Sequence, residues 1–191
     1  MSNVILETAR GFQPVPLTDM MLKKREVFLM GEVTPESCAS IMQQLIYLDS
    51  EDPGKEITLY INSPGGSVSD GLAVYDLINL LHSPVRTVCL GVCASMGAVL
   101  FLSGRKREIM EHGKIMIHDP SFGWHHDIGG LKPDEIQAEL NDLKKCRDIL
   151  TGIISERTGK TARAVKKVTV NDAYFYEIFE IWCFYFRTFS I

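Results

Sequence analysis

Apolar and polar positions follow one another along this chain in blocks whose period switches between that of strands and that of helices. Short apolar runs predict strands at 26–30, 57–61, 85–90 and 115–117. Apolar residues at helical spacing predict helices at 35–48, 68–81 and 96–103. Because strands that are apolar on both faces alternate with helices, the pattern predicts an α/β fold with a mainly parallel sheet covered by helices.

The two ends of the chain differ from this alternating middle. Residues 1–24 lack sustained periodicity and are predicted to form an N-terminal arm with a short helix at 17–24. Residues 25–191 are predicted to form a single domain. Its longest helix, 132–157, is opened by Pro133 and Asp134, closed before Gly159 and charged along one side. Such a helix either covers the sheet or contacts a partner.

Composition narrows the classes of function. The 191 residues, 46% hydrophobic and 23% charged, suit one soluble globular domain. A formal net charge of -4 gives no electrostatic reason to expect nucleic acid or an anionic membrane surface as a partner. The chain has neither the roughly 20 consecutive apolar residues that span a bilayer nor a signal-peptide pattern at its start. We therefore expect a cytoplasmic protein with no nucleic-acid or membrane partner.

Cysteine and histidine spacing does not predict a metal site. The cysteines are Cys38, Cys89, Cys93, Cys146 and Cys183. Cys89 and Cys93 would share one face of a strand, but no second pair completes a set of ligands. His125 and His126 lie beside Asp127 in a loop, again without a third spaced ligand. The cysteines are expected to be free thiols in a reducing compartment, and no metal is expected.

Ser95 is the first candidate for chemistry. The segment 93–98 (CASMGA) places it between small residues where a strand gives way to a helix. Backbone N–H groups point outward at a helix N-terminus, where the helix dipole favours negative charge. An oxyanion formed at Ser95 could be bound there by the N–H of Met96, as in a nucleophile elbow, although G-x-S-x-G is absent. A serine at this position is also a common N-cap.

A glycine-bearing loop, 63–66 (SPGG), is the second candidate. Two glycines after a proline let the backbone turn with its N–H groups exposed and no Cβ in the way. Such a turn can supply a second donor to an oxyanion. The alternative is an ordinary β-turn that connects a strand to the next helix.

His118 is the candidate general base. It directly follows the predicted strand at 115–117, where it would be held firmly and would point out of the sheet edge. Asp172, after a predicted strand at 168–170, is the best-placed carboxylate to orient the imidazole, and Asp119 and Asp127 are local alternatives. The other histidines outside the 125–126 pair, His82 and His112, lie in polar surroundings typical of a surface.

Taken together, three segments closely resemble the proteolytic subunit of the ATP-dependent Clp protease family. They are 61–71 (INSPGGSVSDG), 94–98 (ASMGA) and 116–120 (MIHDP), within a likeness that spans nearly the whole chain. By position, the resemblance implies Ser95 as nucleophile, His118 as base and Asp172 as the acid that orients it. It also implies an oxyanion hole made by the backbone N–H groups of Gly66 and Met96.

The resemblance further implies a fold and an assembly. The fold is the ClpP/crotonase-type spiral of ββα units, with helix 132–157 as a protruding handle. Heptameric rings stack handle to handle as a tetradecamer around a closed chamber. A hexameric AAA+ unfoldase of the ClpX, ClpA or ClpC type docks outside, where Tyr60 matches an aromatic position of the docking pocket, and threads unfolded polypeptide inside. The implied activity is that of a serine endopeptidase without a cofactor, since only the unfoldase uses ATP.

The sequence departs from the family at two places. Asp119 stands where the family usually has glutamine, next to the base. Residues 176–191 replace the family's final helix with an aromatic stretch, and nine of the 17 aromatic residues fall in the last 18 positions. The alignment of Asp172 with the family is supported only by the residues before it, since those after it depart from the family pattern. A shift of the alignment by one residue would put Asn171 in the place of Asp172. These departures support an alternative hypothesis of a weakly active or inactive structural subunit in a mixed Clp ring.

Overall fold

The computed structural model describes residues 2–8, 11–123, 129–176 and 186–188. The chain begins with an antiparallel hairpin of β1 (Asn3–Thr8) and β2 (Gly11–Pro16), followed by α1 (Leu17–Lys23). The helix confirms the prediction for 17–24. The hairpin within the predicted arm was not foreseen, because its two strands lack an apolar alternation that would have revealed them.

Alternating strands and helices follow the hairpin. The strands are β3 (Glu26–Met30), β4 (Ile57–Ser63), β5 (Val85–Ala94), β6 (Lys106–Ile109), β7 (Lys114–Ile117), β8 (Ala173–Phe175) and β9 (Phe186–Thr188). The helices are α2 (Pro35–Glu51), α3 (Val68–Leu80), α4 (Met96–Ser103), α5 (Pro133–Thr158) and α6 (Ala162–Thr169). Every strand and helix predicted between residues 26 and 117 is present, which confirms the α/β class.

The sheet is mainly parallel, as predicted. Its strands follow the order β3-β4-β5-β6-β9 with parallel neighbours throughout, and β7 pairs parallel with β5. Among the described strands of this sheet, only β8 runs antiparallel, beside β7. Helix α4 packs on β4, β5 and β7, and all eight of its residues are buried because it is apolar all round. The start of α4 is therefore anchored in the core.

A bulge in β5 separates the part of this strand that pairs with β6 from the part that pairs with β7. Ile61 of β4 pairs with Cys89 of β5, but Ser63 pairs with Cys93, so β5 carries two extra residues. The Asn62 side chain accepts the N–H of Val92 at 3.0 Å and satisfies it within the bulge. Before the bulge β5 pairs with β6, and after it with β7. The strand predicted at 85–90 is therefore longer than expected, because it continues through the bulge to Ala94.

Helix α5 packs by its C-terminal part. Its buried residues are Leu150, Thr151, Ile154 and Thr158. Its earlier part carries Ile136 and Leu140, which are 41% and 38% exposed. The helix ends at Gly159 with a φ of 71°, the left-handed conformation that glycine adopts readily. The first half of α5 thus projects from the core with apolar side chains exposed.

The predicted strand at 168–170 is wrong. Residues 168 and 169 belong to α6, whose first turn is capped by the Thr161 side chain accepting the N–H of Ala164 at 3.2 Å. Val165 is fully buried and anchors this helix. The β-branched residues Val168, Thr169 and Val170 favour a strand by propensity, but packing of the helix overrides that preference.

Candidate active site

Ser95 lies in the sharp turn between β5 and α4. Its φ of 53° and ψ of -121° are rare for a residue with a side chain. Its N–H donates to the carbonyl of Met116 at 2.9 Å, and its own carbonyl accepts the N–H of Ala98 at 3.0 Å. The backbone is therefore held from both sides in a strained conformation, as in the nucleophile elbow of other hydrolases.

The hydroxyl of Ser95 does not cap α4. It lies 2.8 Å from Nε2 of His118 instead. By contrast Ser67, at the start of α3, uses its hydroxyl as an N-cap for the N–H of Asp70. Ser95 is therefore the N-cap residue of α4 by position but not by its side chain, and its Oγ is within reach of a base for proton transfer.

The loop at 63–66 approaches the Ser95 turn closely. A Cβ on Gly65 would lie 2.6 Å from the Cβ of Ser95, so only glycine leaves room for this contact. Val33 holds the loop from the other side: its N–H donates to the carbonyl of Gly65, and its carbonyl accepts the N–H of Ser67, each at 2.8 Å. The loop is thus a fixed part of the site rather than an isolated β-turn.

Two backbone N–H groups beside Ser95 have no hydrogen-bond acceptor within the part of the chain that the structure describes. One belongs to Met96, the first residue of α4, where a helix leaves its N–H groups unpaired. The other belongs to Gly66. The neighbouring N–H, that of Gly65, donates instead to the Ser63 hydroxyl at 3.1 Å. These are the two donors that the resemblance implies for an oxyanion hole.

His118 and Asp172 face each other across a pair of strands. Ile117 pairs with Ala173 in the antiparallel ladder of β7 and β8, so the next register position sets His118 opposite Asp172. Nδ1 of His118 lies 3.7 Å from Oδ1 of Asp172, an ion-pair distance longer than a hydrogen bond. The side chains are 28% and 59% exposed. The structure therefore places Asp172 beside the imidazole, while Asn171 lies one register step further along.

Asp119, the residue after His118, is engaged elsewhere. Its N–H donates to the carbonyl of Thr169 at 2.7 Å, and its carboxylate accepts the Thr169 hydroxyl at 2.5 Å. Of the three carboxylates considered for orienting the base, Asp172 lies beside the His118 imidazole, Asp119 binds the end of α6, and Asp127 lies outside the described residues.

A small apolar pocket that the sequence did not predict adjoins Ser95 and His118. Its lining residues are Val68, Ser95, Met96, Val99, Ile117, His118, Pro120, Leu150 and Ile154. Apart from Pro120, the apolar members come from α3, α4, β7 and α5, which are distant in sequence. Each has the periodicity of an ordinary core residue, so no sequence signal distinguishes a pocket wall from the core.

Tyr60 lies on the sheet face opposite the buried side chains of β3 and β4. Its ring stacks on Phe28, with centroids 5.0 Å apart and planes 18° from parallel. Phe28 and Met30 are 37% and 50% exposed. The predicted docking residue is thus part of a small exposed apolar patch, which we call the Phe28–Tyr60 patch.

The remaining histidines and cysteines lie apart from this site or outside the described residues. His82 and His112 are exposed, as predicted, and His125 and His126 are not described. The described cysteines are Cys38, Cys89, Cys93 and Cys146, all free thiols. Across 2–8, 11–123 and 129–176 no three His, Cys, Asp or Glu side chains form a group suited to a metal ion. No helix in these ranges is both long and apolar enough to cross a membrane.

A comparison with protein-family models matches residues 10–177 to the Clp protease family. The match covers most of the chain and contains Ser95, His118, Asp172, Gly66 and Met96. It ends near the point where the sequence departs from the family pattern. The family resemblance drawn from three short segments is thereby confirmed.

Proposed function

Because the chain belongs to the Clp protease family, we propose that it is a serine endopeptidase subunit that cleaves unfolded polypeptides through an acyl-enzyme on Ser95. The family is that of ClpP-type peptidases, and its fold is the ClpP/crotonase type. The alternating strands and helices around a mainly parallel sheet agree with that fold.

Each residue of the site has one role in this reaction. His118 Nε2 takes the proton of the Ser95 hydroxyl as Oγ attacks the carbonyl carbon of the peptide. The negative oxygen that forms is bound by the N–H groups of Gly66 and Met96. His118 then passes its proton to the leaving amine, and water releases the acyl group by the same path. Asp172 stabilises the imidazolium that exists between these proton transfers.

One observation carries the proposal: the 2.8 Å contact between Ser95 Oγ and His118 Nε2, made by a hydroxyl that does not cap its helix. The strained turn at Ser95 adds weight, since such backbone conformations concentrate at functional sites. Among the described residues, the two N–H groups without an acceptor belong to Met96, which follows Ser95, and to Gly66, whose neighbour Gly65 contacts the Ser95 turn.

Assembly into heptameric rings stacked as a tetradecamer is part of the proposal. The first half of α5 supports it, because this projecting helix exposes Ile136 and Leu140 and suits contact with another copy as a handle. The Phe28–Tyr60 patch supports docking of a hexameric AAA+ unfoldase of the ClpX, ClpA or ClpC type. Substrate would then reach Ser95 only as unfolded chain, which protects folded proteins from the peptidase.

The proposed function is tested by treating the purified chain with a fluorophosphonate probe, mapping the adduct by peptide mass spectrometry and sizing the same sample by light scattering. We expect an adduct on Ser95, none on the Ser95→Ala variant, and particles of ring size. A serine activated by His118 attacks phosphorus as it attacks a carbonyl carbon, whereas no other serine among the described residues has a hydrogen bond with a histidine.

A folded sample without an adduct would overturn the proposed catalysis. Only monomers or single inactive rings would then favour the alternative, a weakly active or inactive structural subunit of a mixed Clp ring. This alternative is supported by the 3.7 Å distance between His118 Nδ1 and Asp172 Oδ1, since a weakly held imidazole is a weaker base catalyst.

A further inference from the structure

The segment that carries Asp172 is attached to the His118 strand at two points. On one side Ala173 pairs with Ile117 in the β7–β8 ladder. On the other side Thr169, the last residue of α6, makes two hydrogen bonds with Asp119. The Asp119 N–H donates to the Thr169 carbonyl, and the Thr169 hydroxyl donates to the Asp119 carboxylate. We call these two bonds the Asp119–Thr169 clamp.

The two attachments enclose the His118–Asp172 pair. Between Ile117 and Asp119 the chain contains only His118, and between Thr169 and Ala173 it contains Val170, Asn171 and Asp172. The attachments therefore close a small loop of backbone with the imidazole on one side and the carboxylate on the other. Asp172 cannot move far from His118 unless one attachment opens.

Among the described residues, little else holds Asp172 in place. Its side chain is 59% exposed, and an ion pair at 3.7 Å in this setting is weakened by solvent. Val170 is 67% exposed and Asn171 is also exposed, so neither packs into the core. Thr169, in contrast, is 3% exposed. A buried hydroxyl that donates to a carboxylate makes one of the stronger kinds of hydrogen bond, so the clamp is the firmer restraint.

We propose that Asp119 and Thr169 are positioning residues that set the distance between Asp172 and His118. This inference rests on the function proposed above, in which Asp172 stabilises the imidazolium. Neither residue touches the substrate or the reacting atoms. They act through Asp172, so their effect disappears when Asp172 can no longer perform its role.

The kinetic test uses four substitutions, two of which are also combined in a double variant. Thr169→Val removes the hydroxyl at nearly constant volume, and Thr169→Ser retains a hydroxyl. Asp119→Ala removes the carboxylate that accepts this hydrogen bond, on the partly exposed side. Asp172→Asn provides the background in which the effect of Thr169→Val is measured again. We expect Thr169→Val and Asp119→Ala each to lower kcat about tenfold with KM changed less than about twofold. Thr169→Ser should keep most of the activity. In the Asp172→Asn background, Thr169→Val should change kcat by less than about twofold.

Equal losses from Thr169→Val in both backgrounds would overturn the proposal, because the residue would then act independently of Asp172. Failure of Thr169→Ser to restore kcat would overturn it as well, since the hydroxyl is the group invoked. A merely structural role would affect stability without this dependence on Asp172.

A second measurement does not require turnover. Amide hydrogen exchange over 170–175 should be faster in Thr169→Val than in the wild type and in Thr169→Ser, with exchange in β4 unchanged in all three. Unchanged exchange over 170–175 would overturn the clamp whether or not the chain hydrolyses peptides. Absence of a Ser95 adduct in the wild type would instead contradict the proposed function, so the two failures are distinguishable.

Discussion

Ser95→Ala should lower kcat for hydrolysis of an unfolded protein by at least about a thousandfold, equivalent to about 4 kcal/mol of transition-state stabilisation. The hydroxyl is the nucleophile in the proposed reaction, and in the described part of the chain it is the side-chain group hydrogen-bonded to His118 Nε2. Thermal unfolding should change little, because the hydroxyl does not cap α4 and alanine tolerates the positive φ about as poorly as serine.

The matched control is Ser40→Ala on the exposed side of α2. The Ser40 hydroxyl accepts a hydrogen bond from the Gln44 amide at 3.1 Å and is far from the site, so its removal should leave kcat unchanged. Initial rates with saturating unfolded substrate, normalised to assembled protein by size-exclusion chromatography, make the comparison. Residual turnover of Ser95→Ala above about a thousandth of wild type would exclude Ser95 as the nucleophile.

Much of the central fold could be predicted because its elements have clear periods. The strands at Glu26–Met30 and Ile57–Ser63 and the helix at Met96–Ser103 each have an apolar pattern that allows one assignment. Ser95 and His118 could be selected because the site needs particular residue types at the end of a strand. Their juxtaposition across 23 residues of sequence follows from β5 and β7 being parallel neighbours.

What the sequence did not predict depends on contacts between distant segments. Gly91 and Ala94 look like the residues of a turn, but Asn62 of the neighbouring strand satisfies the bulge and lets β5 continue. Residues 168–170 favour a strand locally, whereas packing around Val165 selects a helix. The pocket beside Ser95 likewise forms only when α3, α4 and α5 meet.

The contacts of Asp119 are a further example of contacts between distant segments that the sequence did not predict. Its position next to His118 in sequence favours an electrostatic effect on the base. Its carboxylate instead accepts the hydroxyl of Thr169, a residue 50 positions away whose place is set by the fold of α6. Sequence adjacency therefore identified a residue that matters for the geometry of the site but did not predict how it acts.

Gly66→Ala should lower kcat/KM by about a hundredfold to a thousandfold and destabilise the fold by about 2–4 kcal/mol. A Cβ there would lie 2.3 Å from the carbonyl oxygen of Val33, and the φ of 145° disfavours any side chain. Because Val33 belongs to the parallel bridge that holds the loop, relief of the clash must move the loop. The N–H of Gly66 would then leave the position where the oxyanion forms.

Gly54→Ala separates the two effects. Gly54 also has a positive φ, 87°, but no atom lies within 4 Å of the Cβ position and the residue is far from Ser95. The Gly54→Ala substitution should lower the free energy of unfolding by only about 1 kcal/mol, through backbone strain, and leave kcat/KM unchanged. Denaturant unfolding gives the stability of each variant, and kinetics below the onset of unfolding give the rate per folded subunit. If Gly66→Ala kept more than about a tenth of the wild-type kcat/KM per folded subunit, its N–H would not be an oxyanion donor, because loss of one such donor alone costs about a hundredfold or more.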